Sequence, residues 1–294
     1  MTGGIRDCLP PVRNPRKPNV RLPAGSIDTH VHVFEPGYPL SPGRGYNPPH
    51  STLADLEHLH ATLGIDRVVF TQPSIYGTDN SAILNGMAAL NAKTPSRARC
   101  VVAISLDIAD ADLAALDASG VRGVRLNTDN KGGMPITMNE IPELAARIAP
   151  FGWHIEFLFP GSDIIDLMPV FSALKVPISI GHFAYQPATA GVAAPCFRAL
   201  LELMRRGSTW IKISGANRVS ETDLPPYDDV KPMAHALIDA APERIMWGTD
   251  WPHPNKYLVN PNDGDLVDAF GDWVPDAGMR RKIMVDTPAA FYRF

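Results

Sequence analysis

Cysteine is scarce in this chain, and its scarcity excludes several chemistries. The 294 residues include three cysteines, Cys8, Cys100 and Cys196, odd in number and far apart. With no C-x-x-C pair, neither a zinc knuckle nor a dithiol switch is encoded. Cys100 opens the apolar run C-V-V-A-I, the setting of a packed, reduced thiol. Long apolar runs are missing as well. None is long enough to span a bilayer. The first 25 residues lack the apolar core of a secretory signal, so a cytoplasmic location is expected. Charge of one sign does not accumulate either: the net charge is −4, with no block of like charges. That argues against a nucleic-acid groove or an anionic membrane surface as partner. The expected partner is a small molecule, and a homo-oligomer stays open.

Apolar residues, at 45% of the chain, are ample for a core. The 29 prolines punctuate the loops between patterned segments. Residues 1–23 read as an extended arm, and residues 24–294 as one domain without an interior linker. Eight short β-branched runs read as strands: 26–33, 67–71, 100–106, 123–127, 153–159, 176–181, 209–214 and 244–248. Helical spacing lies between most of them. It is clearest in Leu53, Leu56, Leu59 and Leu63, opened by Ser51 or Thr52 with Asp55 following, and stopped by Gly64. Further helical stretches are 82–92, 110–116, 140–148, 197–205, 233–240 and 279–285. Eight strand–helix alternations in a chain of this length predict a closed α/β barrel, the (β/α)₈ or TIM barrel. The alternative is a doubly wound open sheet, which the lack of a G-x-G-x-x-G after the first strand disfavours.

Such barrels place chemistry at the carboxyl ends of their strands. His30 and His32 lie two apart near the end of strand one and so share a face. Asp28 is expected on that face, one layer deeper. His182 ends strand six, and Asp250 follows strand eight. His154 lies at the start of strand five, toward the opposite end, and reads as structural. Lys212 is unusual, a lysine inside an apolar strand, and reads as support for the inner wall.

The motifs P-A-G-S-I-D-T-H-V-H-V-F (23–34), G-T-D-N (77–80), R-G-V-R-L-N (122–127), G-W-H (152–154) and I-M-W-G-T-D-W-P-H-P-N (245–255) resemble the amidohydrolase superfamily. They are most similar to its branch containing 2-pyrone-4,6-dicarboxylate lactonase and galactarolactone isomerase. An H-x-H pair with a further histidine and an aspartate suits zinc. Metal-binding relatives, however, place another histidine near the end of strand five, where this chain reads E-F-L-F-P (156–160). No lysine ends a central strand to serve as a carboxylated ligand. The lactonase that the chain resembles works without a metal. A metal-free site with no cofactor is therefore expected, the alternative being one zinc on His30, His32 and Asp250.

The resemblance implies attack on the carbonyl of a carboxylated lactone. Asp250 would be the base, and His30, His32 and His182 would donate hydrogen bonds to the oxyanion. Arg125 and Arg218 suit a substrate carboxylate. Lys131, in a Gly-rich loop, is a further candidate substrate contact, although an ordinary surface charge is the first reading for it. Tyr46, Ser74, Tyr76 and Asn217 are expected as polar lining. Three positions depart from the lactonase pattern: Lys131 replaces an arginine, Leu158 a tyrosine and Tyr76 a histidine. These changes favour a hydroxyl-bearing sugar-diacid lactone over a flat aromatic pyrone. Hydrolytic ring opening ranks ahead of isomerisation by a substrate hydroxyl. A zinc-dependent decarboxylase and a non-enzymatic binding protein rank lower.

Overall fold

The computed structural model describes residues 4–128 and 135–294. Eight parallel strands follow one another around a single sheet: β1 (Ile27–Val31), β2 (Arg67–Thr71), β3 (Ala98–Val102), β4 (Val121–Asn127), β5 (His154–Leu158), β6 (Ile178–Ile180), β7 (Thr209–Lys212) and β8 (Ile245–Met246). Backbone bonds between the two ends close it. Thr29 N–H donates to Trp247 O at 3.2 Å, His32 N–H donates to Trp251 O at 2.9 Å, and Val31 bridges Trp251. The fold is a (β/α)₈ barrel, and the open-sheet alternative is excluded.

The helices α1 (Leu53–Leu63), α2 (Ser81–Lys93), α3 (Asp110–Ser119), α4 (Ile141–Ile148), α5 (Ile164–Ala173), α6 (Pro195–Arg205), α7 (Lys231–Ala240) and α8 (Asp263–Trp273) cover the outside. In α1 the Thr52 hydroxyl accepts from Asp55 N–H while the Asp55 carboxylate accepts from Thr52 N–H, and Gly64 caps the end with φ +78°. Leu56, Leu59 and Leu63 of that helix face the sheet. The sequence pattern does not reveal α5 and α8. Pro169 interrupts α5, and α8 opens on Asp-Gly-Asp with a second glycine at 271. Intrinsic propensity is low in both, and packing on the sheet supplies the missing stability.

Side chains alternate along each strand between the helix layer and the barrel interior. Ile27, Val69, Val101 and Met246 meet inside, over Tyr292 of the C-terminal helix Thr287–Tyr292, and form the floor. His154 belongs to this floor. Its ring lies 4.5 Å from Phe291 and 5.3 Å from Tyr292, centroid to centroid. The β4 neighbour is Gly123, where a Cβ would stand 2.5 Å from His154 Cε1. Strand β1 departs from simple alternation. Its register with β2 shifts between Asp28 and Val31. Ile27 faces inward, while Asp28 turns outward to His60 of α1, at 3.3 Å, and to the Thr249 hydroxyl, at 2.6 Å. Asp28 therefore does not share the histidines' face, contrary to the period-two reading. The irregularity re-aims His30 and His32 into the barrel, as bulges beside active sites commonly do.

Arg6–Asp7 pairs with Tyr46–Asn47, and Arg16 binds Asp265 and Asp268 of α8 at 2.5 and 2.6 Å.

Gly123→Ala should destabilise the protein by about 1–3 kcal/mol, the usual cost of overpacking a core. Urea denaturation followed by circular dichroism measures this. A loss under about 0.5 kcal/mol would show that the His154 ring moves aside freely.

Candidate active site

Three distant segments deliver the four central side chains to one mouth. His30 and His32 come from the end of β1, His182 follows β6, and Asp250 follows β8. All four are buried, with no more than 2% of any residue's surface exposed. The backbone is bent to aim them. His182 has φ +54° and Asp250 φ +63°, left-handed conformations that cost on the order of 1 kcal/mol each outside glycine. Asp250 is held there by its N–H donating to His30 O at 2.9 Å and by His253 N–H donating to its own carbonyl at 2.8 Å. Beyond β7, Gly215 lies against His182: a Cβ there would stand 2.7 Å from His182 Nδ1.

The two oxygens of Asp250 have different surroundings. Oδ2 accepts from Arg218 Nε–H at 2.6 Å, and a terminal nitrogen of that guanidinium is also 2.6 Å away. Arg218 further donates to Pro254 O at 3.0 Å. Oδ1 has no hydrogen bond and faces the Nε2 atoms of His182, His30 and His32 at 3.5, 3.8 and 3.9 Å. His30 Nε2 is likewise without a partner. A reacting group could therefore bind among these atoms without displacing an existing bond.

The outer nitrogens of the rings are anchored. His32 Nδ1 lies 2.7 Å from Thr71 O. A carbonyl oxygen only accepts, so Nδ1 carries the proton, and Nε2 of the neutral ring presents a lone pair to the mouth. His182 Nδ1 meets the Ser214 hydroxyl at 3.0 Å. His30 Nδ1 meets Lys212 Nζ at 3.3 Å and Glu156 Oε1 at 3.4 Å. The expectation that all three imidazoles donate into the site thus needs correction at His32, which accepts.

Burial sets the charge states. It is the largest influence on each imidazole and pushes His32 and His182 down to about 3. The Arg125 charge adds to this at His32, whereas Asp250 opposes it at His182 without prevailing. His30 is also pushed well below its usual value, by burial first and then by Lys212. For Asp250 burial acts upward, but Arg218, His182 and His32 together outweigh it and hold the carboxyl far below the usual range. At neutral pH the centre is one carboxylate among three neutral rings.

The surrounding cavity is lined by His32, His182, Asp250, Arg125, Arg218, Tyr46 and Ser74, all foreseen, together with Leu158, Asn127, Tyr185, Pro254 and Asn255. Arg125 NH1 donates to Gln72 O at 2.7 Å while its Nε has no partner. Tyr76 stands back from the cavity among Phe34, Tyr38 and Tyr46. Asn217 lies outside the lining, its carbonyl accepting from Lys256 Nζ at 3.1 Å. Lys131 falls outside the described residues. Asn127 and Tyr185 were missed. Asn127 was legible, since it stands two positions beyond Arg125 on the same strand face. Tyr185 was not, because the left-handed run 182–185 that carries it has no sequence signature.

The candidate zinc donors, one atom each from His30, His32 and Asp250, lie within 4.8 Å of one another. That spacing could be spanned by one cation. Two features oppose it: the only carboxylate is already neutralised by Arg218, and the outer nitrogen of His30 faces an ammonium.

A model of the Amidohydrolase family matches residues 27–294. The chain belongs to that family. It is 37% identical to a 2-pyrone-4,6-dicarboxylate hydrolase of Comamonas testosteroni, over 95% of this chain and 93% of the relative. It is 31% identical to a D-galactarolactone isomerase of Agrobacterium fabrum, over 94% of each. An apo crystal structure from Agrobacterium tumefaciens superposes with a TM-score of 0.85 at 31% identity, covering 94% of this chain and 98% of that one. The protein is accordingly an enzyme of the amidohydrolase superfamily.

The charge states predict the acid limb of the pH profile. His32 and His182 gain protons only near 3, and Asp250 only at lower pH, so acidification from about pH 8 to about pH 5 leaves all three unchanged. kcat/KM should be flat over that range. An acid limb with a midpoint between about 6 and 7 would mean that an ordinary, solvated histidine must be neutral for turnover.

Proposed function

We propose that the enzyme opens the ring of a carboxylated lactone, of the sugar-diacid or dicarboxylate type, with Asp250 as base and no metal ion. The observation that carries this reading is Asp250 Oδ1: a buried, ionised oxygen without a hydrogen bond, faced by three imidazole nitrogens at 3.5–3.9 Å. One relative is named for a 2-pyrone dicarboxylate, whose ring is a cyclic ester, and another for D-galactarolactone.

Water placed between Asp250 Oδ1 and the lone pair of His32 Nε2 has two acceptors for its protons. It can then attack a carbonyl whose oxygen lies on the His30 side. Arg218 makes Asp250 a weak base at equilibrium, so the proton passes only as the carbonyl becomes tetrahedral. As that intermediate collapses, the ring C–O bond breaks and the proton held by Asp250 passes to the departing ring oxygen, which restores the carboxylate. An oxyanion in a water-poor site gains more from one placed donor than it would in bulk solvent. The substrate carboxylate is assigned to Arg125. Arg218 is occupied by Asp250 and Pro254, whereas Arg125 lines the cavity with an unpartnered Nε–H.

Isomerisation is the second reading, supported by the galactarolactone isomerase relative and by Leu158 on the cavity wall. Leu158 offers no hydrogen bond to a planar acid and leaves room for a hydroxyl-bearing ring. The same Asp250 Oδ1 would then take its proton from a substrate hydroxyl.

Carbon-13 NMR of D-galactarolactone and 2-pyrone-4,6-dicarboxylate incubated with enzyme separates the two readings. A free diacid means hydrolysis, and a lactone of new ring size means isomerisation. If neither substrate class is consumed, the proposal fails. Asp250→Asn should lower kcat by about 10²–10⁴-fold with KM little changed, since general-base catalysis is lost and binding is kept. Dialysis against a chelator should leave kcat unaltered. Loss of activity that zinc restores would contradict the metal-free mechanism.

A further inference from the structure

Lys212 and Glu156 form a buried pair inside the barrel that the mechanism above does not use. Both project inward, Lys212 from β7 and Glu156 from β5, and neither lines the cavity. Lys212 is fully buried, and its ammonium meets Glu156 Oε2 at 2.5 Å, Thr29 O at 2.7 Å and His30 Nδ1 at 3.3 Å. An ammonium has three N–H donors and no lone pair. Its three donors match these three acceptors, and the third contact therefore requires the lone pair on His30 Nδ1. The competing arrangement, with Nδ1–H donating to Glu156 Oε1 at 3.4 Å, would aim that proton into the field of an ammonium 3.3 Å away. Glu156 Oε2 already accepts from Lys212, and the Ser179 hydroxyl stands 3.5 Å from it.

We propose that Lys212, held in place by Glu156, is a positioning residue that fixes His30 in the tautomer protonated at Nε2. The consequence reaches the mouth. His30 turns an N–H toward the reacting group, and the ammonium on the far side of the ring polarises that N–H. His32, two residues along the same strand, is fixed the opposite way by Thr71 O and turns in a lone pair. One ring donates and the next accepts. The donor suits a developing oxyanion, since a neutral imidazole can act as an electrophile. The acceptor suits the attacking O–H. The same tautomer removes His30 from the set of metal donors, because a cation needs the Nε2 lone pair. Lys212 therefore opposes zinc at the one cluster among the described residues where His30, His32 and Asp250 approach each other closely. The tautomer assignment stands on the hydrogen-bond frame alone, whereas its catalytic use rests on the lactone reading.

Nitrogen-15 NMR of histidine-labelled enzyme tests the assignment without any substrate, because bare and protonated ring nitrogens separate widely in shift. The wild type should show His30 protonated at Nε2 and His32 at Nδ1, with assignments made from His30→Gln and His32→Gln spectra. His30 protonated at Nδ1 in the wild type would overturn the proposal, whatever the enzyme's substrate proves to be. Lys212→Met keeps the volume of the side chain without the donor. It should move the His30 proton to Nδ1, lower kcat roughly tenfold or more with KM nearly unchanged, and tighten zinc binding by about tenfold or more in calorimetry, the scale on which outer-shell partners act. A folded Lys212→Met enzyme with the wild-type tautomer and unchanged zinc affinity would also overturn it. If that variant does not fold, the wild-type spectrum still decides. Lactone turnover is read separately, so failure of the proposed function and failure of the tautomer assignment give different results.

Discussion

The site depends first on the Arg218–Asp250 contact. A carboxylate taken fully out of water would bind a proton unless an opposite charge accompanied it. The guanidinium, with two nitrogens 2.6 Å from Oδ2, supplies that charge. Because it occupies only Oδ2, the remaining oxygen is ionised yet bare, and the three imidazoles surround it. The cations nearby, Arg125 and Lys212 included, act with burial to keep those rings neutral. Buried pairs of this kind contribute little net stability, but breaking one strands a charge at a cost of about 3–5 kcal/mol. What the arrangement sets is the state of Asp250, ionised with one oxygen bare.

Three backbone irregularities make the convergence possible, one within β1 and two just beyond strand ends. The register shift in β1 turns Asp28 out toward His60 and the two histidines in. The left-handed run at 182–185 swings His182 across the mouth, and the left-handed Asp250 aims its carboxylate back toward β1. Regular strands alone would place these side chains around a rim without bringing their polar atoms to within 4 Å of one oxygen. Strain of this type persists where packing over-determines the conformation. Gly215, pressed against His182, and the bond from Asp250 N–H to His30 O are the local restraints here.

Much of this was legible in the sequence, because barrel topology converts strand order into position. Period-two spacing identified His30 with His32, strand-end placement identified His182 and Asp250, and strand-start placement separated His154. What depends on contacts between strands was hidden. Lys212 stood out as a charge in an apolar strand, but its partner Glu156 lies on a strand that is not its neighbour. The tautomer of His32 rests on a backbone carbonyl that any residue at position 71 would supply. Arg218 looked like a free clamp for substrate until Asp250 proved to hold it. Helices α5 and α8 were hidden for a different reason, since a proline and two glycines mask segments that tertiary packing makes helical.

The account reduces to where three protons lie, and neutron diffraction from deuterated crystals of the resting enzyme near neutral pH observes them directly. It predicts deuterium on His30 Nε2 and on His32 Nδ1, one deuterium on the His182 ring, and none on either oxygen of Asp250. Deuterium on Asp250 Oδ1, or a doubly deuterated His32 or His182, would contradict the account. The centre would then hold a shared proton in place of an ionised base among neutral rings.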